Sequence, residues 1–126
     1  MDSFENDKFA ILLGFEVLES RYGKSRVRAK VKDDYLNGVG ITHGGFLYTL
    51  ADFALAAATN TGGRIALNST ATINYLQPCP AGAVIIADAS YEFENGKTAL
   101  CIIRISNEKT GELYCVFESR AVMKKV

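Results

Sequence analysis

Histidine and net charge are what this chain lacks most. Its 126 residues include one histidine, and fourteen basic residues cancel fourteen acidic ones. A chain with no charge excess has no electrostatic footprint for nucleic acid or for an anionic membrane surface. One histidine and three scattered cysteines, Cys79, Cys101 and Cys115, without a CxxC spacing, argue against a metal site. An odd cysteine count fits reduced thiols in a cytoplasmic protein better than a disulfide frame. Cys79, between two prolines, has no basic neighbour to activate it. The acidic start, Met1-Asp2-Ser3-Phe4-Glu5-Asn6-Asp7, lacks the basic opening of a secretory signal. The apolar run Phe9 to Phe15 is too short to cross a bilayer. Repeats, low-complexity stretches and linkers are also missing, so a single domain over residues 1–126 is expected in the cytoplasm.

What is present is a core. Hydrophobic residues make up 48% of the chain. Ser3 is placed to cap a first helix running to Leu13, with Phe9, Leu12 and Leu13 on its apolar side, and Gly14 ends it. Phe15 to Lys32 reads as one long strand region with a bend near Tyr22-Gly23. Val27, Ala29 and Val31 alternate there with Arg26, Arg28, Lys30 and Lys32, a solvated basic row. Asp33 to Thr42 reads as loop. Phe46 to about Asn60 is the main helix, apolar nearly all round, so it must be buried nearly all round. Thr61-Gly62-Gly63 terminates it.

The remainder is strand. Ile65 to Gln77 alternates, with Leu67, Ala71, Ile73 and Tyr75 on one face and Asn68, Thr70, Thr72 and Asn74 on the other. Pro78 to Gly82 turns the chain and Val84 to Glu94 follows. Asn95-Gly96 is the best hairpin signal in the chain. Thr98 to Asn107 and Leu113 to Met123 complete the pattern. The order predicts an α+β domain in which an antiparallel sheet wraps one central helix.

The chemistry concentrates in Asn37-Gly38-Val39-Gly40-Ile41-Thr42-His43-Gly44-Gly45 and the helix after it. Glycines opening a helix offer bare N–H groups at the positive end of its dipole, where charge developing on a substrate oxygen is welcome. Two turns on stands Asp52, a lone acid in apolar surroundings. An oxyanion donor and a nucleophile or base on one element suggest acyl transfer. If both residues are helical, Gly44 and Asp52 lie about 12 Å apart at ~1.5 Å per residue. A reacting carbonyl needs both groups at about 3 Å. Two symmetry-related helices satisfy this where one cannot, so the pattern predicts a site shared between subunits of a dimer. The bland alternatives are a structural carboxylate at Asp52, a capping His43, close packing at Gly44-Gly45 and a simple turn at Asn37-Gly38.

Asn37-Gly38, His43-Gly44-Gly45, Leu50-Ala51-Asp52 and Ile73-Asn74-Tyr75-Leu76 before Pro78 and Gly82, with Leu12-Leu13-Gly14-Phe15 upstream, resemble the hotdog-fold acyl-CoA thioesterases of the phenylacetate-degradation (PaaI-like) group. The resemblance covers nearly the whole chain. It implies a hotdog fold, a five-stranded antiparallel sheet around the long helix, and dimers paired into tetramers. It implies Asp52 as nucleophile or general base and the Gly44 N–H as the group polarising the thioester carbonyl. Asn37 and His43 would place the carbonyl or the attacking water, with Gly45 beside them. Asn68 or Thr70 would stand where relatives carry a Ser or Thr on the strand after the helix. No cofactor is implied beyond the coenzyme A of an acyl-CoA substrate. The acyl group expected is aryl or medium-chain. Two other readings stand beside this one. An enoyl-thioester hydratase shares the fold, but the chain lacks the Gly-Asp-x-Asn-Pro segment of those enzymes. A non-catalytic acyl-CoA binding or sensing module is the other.

Overall fold

The computed structural model describes residues 2–61 and 63–125. Gly62, read above as part of the helix terminator, lies outside them. Among the described residues there are two helices, α1 (Lys8–Leu12) and α2 (Gly44–Thr59), with 3₁₀ turns at Ser3–Asn6 and Asp33–Tyr35. Among the same residues six strands follow the order of the chain: β1 (Glu16–Arg21), β2 (Lys24–Lys30), β3 (Arg64–Tyr75), β4 (Val84–Asn95), β5 (Thr98–Asn107) and β6 (Leu113–Lys125). They form one sheet in the order β1-β2-β4-β5-β6-β3, with every neighbouring pair antiparallel.

The sheet curls around α2. Ala51, Ala54, Ala57 and Ala58 of the helix are fully buried, and their small side chains let the sheet come close. Opposite them stand Val27, Ile85, Ala87, Ile103, Ile105, Phe117 and Ala121, equally buried. The carbonyls of the second half of α2 are gripped by the first hairpin. Ser25 Oγ donates to Ala54 O at 2.6 Å, Ser20 Oγ to Ala57 O at 2.6 Å, and the Gly23 N–H to Ala58 O at 2.8 Å. The bonds to Ala57 and Ala58 satisfy carbonyls that a helix end leaves without partners, while Ala54 O, inside the helix, takes the Ser25 hydroxyl as well.

Four sequence expectations need correction. The region Phe15 to Lys32 is not one bent strand. Gly23, at φ 80°, reverses the chain completely and makes a β1–β2 hairpin, which raises the strand count from five to six. The first helix is not continuous from Ser3. Asp7 is extended (φ −67°, ψ 104°) and breaks it, and its side chain caps the short α1 by accepting from the Ala10 N–H at 3.0 Å. α1 then buries Ala10, while Leu12 is 75% exposed. The main helix starts at Gly44 and not Phe46, and it is buried on three sides only. Gly45, Tyr48 and Asp52 line an exposed stripe along it.

The fourth correction decides which side chains meet the site. β3 pairs with β6 through Asn68↔Ala121 and then Thr70↔Arg120, so Ser69 is an extra residue in a bulge. A bulge shifts the inside–outside alternation by one. Upstream of it Ala66 and Asn68 face α2, and downstream Ala71 and Ile73 do. Leu67, expected inside, is 57% exposed. Thr70 pairs with exposed Arg120 and points outward. The β4–β5 hairpin turns at Asn95-Gly96 as expected, with Gly96 at φ 60°.

Candidate active site

His43 stands at the N-cap of α2 in extended conformation, φ −60° and ψ 133°. Its Nδ1 accepts from the Gly45 N–H at 2.8 Å, so the neutral ring carries its proton on Nε2. The N–H groups of Phe46 and Leu47 donate to the His43 carbonyl at 3.0 and 3.4 Å. The Gly44 N–H has no acceptor among the described residues. One donor is therefore left open at the positive end of the dipole. A glycine keeps the approach to that point open. A Cβ on Gly44 would stand 3.1 Å from the ring and hydroxyl of Tyr75, whose Oη donates to Gly44 O at 3.0 Å.

The free donor opens on a cleft of about 370 Å³ lined by Asn37, Ile41, Thr42, Gly44, Leu47 and Tyr75, with Leu76 to Cys79 along its floor. Asn37 organises the loop above it. Its Oδ1 accepts from the N–H groups of Val39 and Ile41 at 3.0 and 3.3 Å, and its own N–H donates to Ile41 O at 2.8 Å. Those bonds fix the amide oxygen and leave the side-chain –NH₂ without an acceptor among the described residues. Thr42 ties the loop to the floor, its hydroxyl donating to Cys79 O at 2.7 Å. The Cys79 thiol is buried and its pKa is pushed up by burial, with the Thr42 hydroxyl opposing.

Asp52 lies eight residues along the same helix, on the exposed stripe. Its Oδ1 accepts from Asn68 Nδ2 at 3.2 Å, and Asn68 Oδ1 accepts from Ser119 Oγ at 2.6 Å. Its apolar setting raises its pKa by desolvation. The Asn68 hydrogen bond opposes that rise, and the charge of Asp7 adds to it.

Within the chain, then, Asn37 and Gly44 share the cleft, and Asp52 and Asn68 form a second group away from it. His43 and Gly45 border a separate, mostly apolar hollow of about 380 Å³ with Phe9, Leu13, Tyr35, Phe46 and Thr49. The Gly45 N–H is taken by the cap. Thr70 belongs to none of these places. The sequence reading missed Ser119, Tyr75 and Asp7 as contributors. Ser119 had a signal: it is the one polar residue in the inward row Phe117, Ser119, Ala121 and Met123 of β6. The contacts of Tyr75 and Asp7 depend on tertiary placement and had none.

A curled antiparallel sheet around one long helix is the hotdog fold, and its relatives make the chain a thioester hydrolase of that fold. The chain belongs to the thioesterase superfamily, whose family model matches residues 39–114. Among its relatives, the acyl-coenzyme A thioesterase PaaI of Escherichia coli is 36% identical over 106 residues, spanning 84% of this chain and 76% of its own. A putative esterase of Archaeoglobus fulgidus is 34% identical over 104 residues, 82% of this chain and 68% of its own. The solved structure of the E. coli PaaI protein, from the phenylacetic acid degradation operon, matches with a TM-score of 0.90 at 32% identity, covering 98% of this chain and 87% of that one. Among the described residues, no helix is long and apolar enough to cross a membrane.

Proposed function

We propose that the protein hydrolyses acyl-CoA thioesters carrying aryl or medium-chain acyl groups, as a cytoplasmic enzyme whose site is shared between two subunits. The observation that carries this reading is the unpartnered Gly44 N–H at the start of the helix that also bears Asp52. In the reaction the thioester oxygen lies against the Gly44 N–H, with the Asn37 –NH₂ beside it. Asp52 attacks the carbonyl carbon or removes a proton from the water that does. Charge collects on the oxygen in the tetrahedral intermediate, where the helix end stabilises it. Collapse breaks the C–S bond, and the thiolate leaves to take up a proton as CoA-SH. Where water attacked, the free acid forms at once. Where Asp52 attacked, water then hydrolyses the acyl–Asp52 anhydride to the free acid and restores the carboxylate. The reaction itself asks for no metal or organic cofactor. Both groups lie on α2, about 12 Å apart along its axis at ~1.5 Å per residue. Gly44 from one subunit therefore works with Asp52 from its partner. A dimer is the minimum unit, and pairing of dimers into a tetramer accords with the family resemblance.

The test is thiol release from a panel of acyl-CoAs, phenylacetyl, hydroxybenzoyl and short to long aliphatic, with Asp52→Ala alongside. Turnover of at least one member, reduced about 10²–10⁴-fold in the variant, is the expected result. Turnover that survives Asp52→Ala would overturn the mechanism. Binding without turnover would favour a sensing module, and hydration of crotonyl-CoA a hydratase.

A further inference from the structure

We propose that Ser119 is a positioning residue for Asp52, its hydroxyl holding the Asn68 amide so that the –NH₂ rather than the carbonyl faces the carboxylate. The inference rests on the thioesterase reading only for what Asp52 does in catalysis.

Three elements supply one line of polar atoms, running from the buried inner face of β6 out to the exposed stripe of α2. Ser119 of β6 is fully buried and donates to Asn68 Oδ1 at 2.6 Å. Asn68 of β3 donates from Nδ2 to Asp52 Oδ1 at 3.2 Å. A side-chain amide is nearly symmetric in shape, so packing alone does not choose between its two orientations. A buried hydroxyl at one end biases the choice. If the amide turned over, Ser119 Oγ would accept from the –NH₂ but its own proton would be left without Asn68 as acceptor, and the amide oxygen would face the carboxylate with like partial charge. Ser119 has no other role in view. Its neighbours on the inner face of β6, Phe117 and Ala121, are apolar, and a buried hydroxyl there costs stability unless it is partnered. The β3 bulge turns Asn68 inward to meet it.

The effect is on the charge state of Asp52. A donor held against the carboxylate favours its ionised form, the form that attacks or takes a proton. Asp7, at the cap of α1, and desolvation by the surrounding side chains act in the opposite direction. One turn away on α2 itself stands the phenol of Tyr48. Asn68 is the donor set against these influences, and Ser119 keeps it turned the right way.

The experiment follows the Asp52 carboxyl by ¹³C NMR through a pH titration of the intact protein. It compares wild type with Ser119→Ala, Ser119→Cys and Asn68→Ala. Ser119→Cys keeps the bulk and weakens the donor. The midpoint is expected to rise by roughly half to one pH unit in both Ser119 variants, part of the roughly one to two units that complete loss of a hydrogen bond to a charged group would give, because the Asn68 donor is misplaced and not removed. Ser119→Ala is expected to add nothing in an Asn68→Ala background. The acid limb of kcat/KM on the best acyl-CoA should move by the same amount. An unmoved midpoint in Ser119→Ala, or a wild-type midpoint in Ser119→Cys, would overturn the proposal and leave Ser119 as packing. A wild type that turns over no acyl-CoA would sink the thioesterase reading, while the titration would still judge the relay.

Discussion

The two ends of α2 are built on opposite terms. At the C-terminal half, the carbonyls of Ala54, Ala57 and Ala58 take donors from the β1–β2 hairpin, and Thr59 Oγ1 donates back to Leu55 O at 2.8 Å. At the N-terminal end the cap is economical. His43 takes the Gly45 N–H and its carbonyl takes those of Phe46 and Leu47, while the Gly44 N–H is left open over a cleft. The closed end holds the helix rigid. The open end aims one donor at a place where no group of the protein competes for it. Preorganisation of that kind is how a helix terminus serves chemistry without reorganising at the moment of reaction.

That contrast can be tested from both sides. The largest effect is expected at the closed end. Ala54→Leu overfills a fully buried position and should lower unfolding free energy by about 1–3 kcal/mol in a denaturant titration. The turnover of the molecules still folded should change little. A loss of turnover without a loss of stability there would abolish the division of labour. At the open end Gly44→Ala puts a Cβ against Tyr75 and shifts the donor by a few tenths of an ångström. It should cut kcat by roughly tenfold with stability near wild type, since small misplacements of a reacting geometry are costly. His43→Ala removes the cap and should cost about 1 kcal/mol in thermal unfolding. It also frees the Gly45 N–H, so any gain in kcat would show that one open donor is fewer than the site can use.

The smallest effect concerns pH. The folded state raises the pKa of Asp52 above its ordinary value, chiefly by desolvation. Its contribution to stability is therefore fully present below the unfolded carboxylate pKa and is lost as pH rises through the folded one. Melting curves should show wild type losing ground to Asp52→Asn as pH rises from the ordinary carboxylate range through the raised folded pKa. Turnover should run the other way, rising with pH across the same window as the carboxylate ionises. A turnover profile flat across that window would separate Asp52 from the chemistry.

Much of this was legible in the sequence. The main helix, the Asn95-Gly96 hairpin and the β4, β5 and β6 runs all carry strong local signals, because apolar periodicity and turn residues act over a few positions. The breaks were harder. Asp7 reads as one more acid in an acidic start, and only its extended backbone shows that it ends one turn and caps the next. The bulge at Ser69 was invisible for a deeper reason. An extra residue in a strand exists only relative to its partner, and the partner, β6, lies some fifty residues further along the chain. A strict alternation put Asn68 and Thr70 on one face, away from Leu67. The pairing with β6 shows Asn68 beneath Asp52, with Leu67 and Thr70 outside. The candidate residues on one loop and helix, Asn37, His43, Gly44 and Asp52, could be named because they lie close in sequence. Ser119 stood out as the one polar residue in an apolar row of β6, but its link to Asp52 was not legible, because it meets Asp52 only through Asn68.

The three cysteines lead somewhere practical. Cys79, Cys101 and Cys115 are all buried, and burial pushes the last two up to about 12. While the chain is folded, thiol-reactive dyes have almost nothing on it to label. A dye that reports CoA-SH would therefore see the product against a dark protein. Any slow colour that grows without substrate would count unfolded molecules, so each kinetic trace carries its own measure of sample integrity.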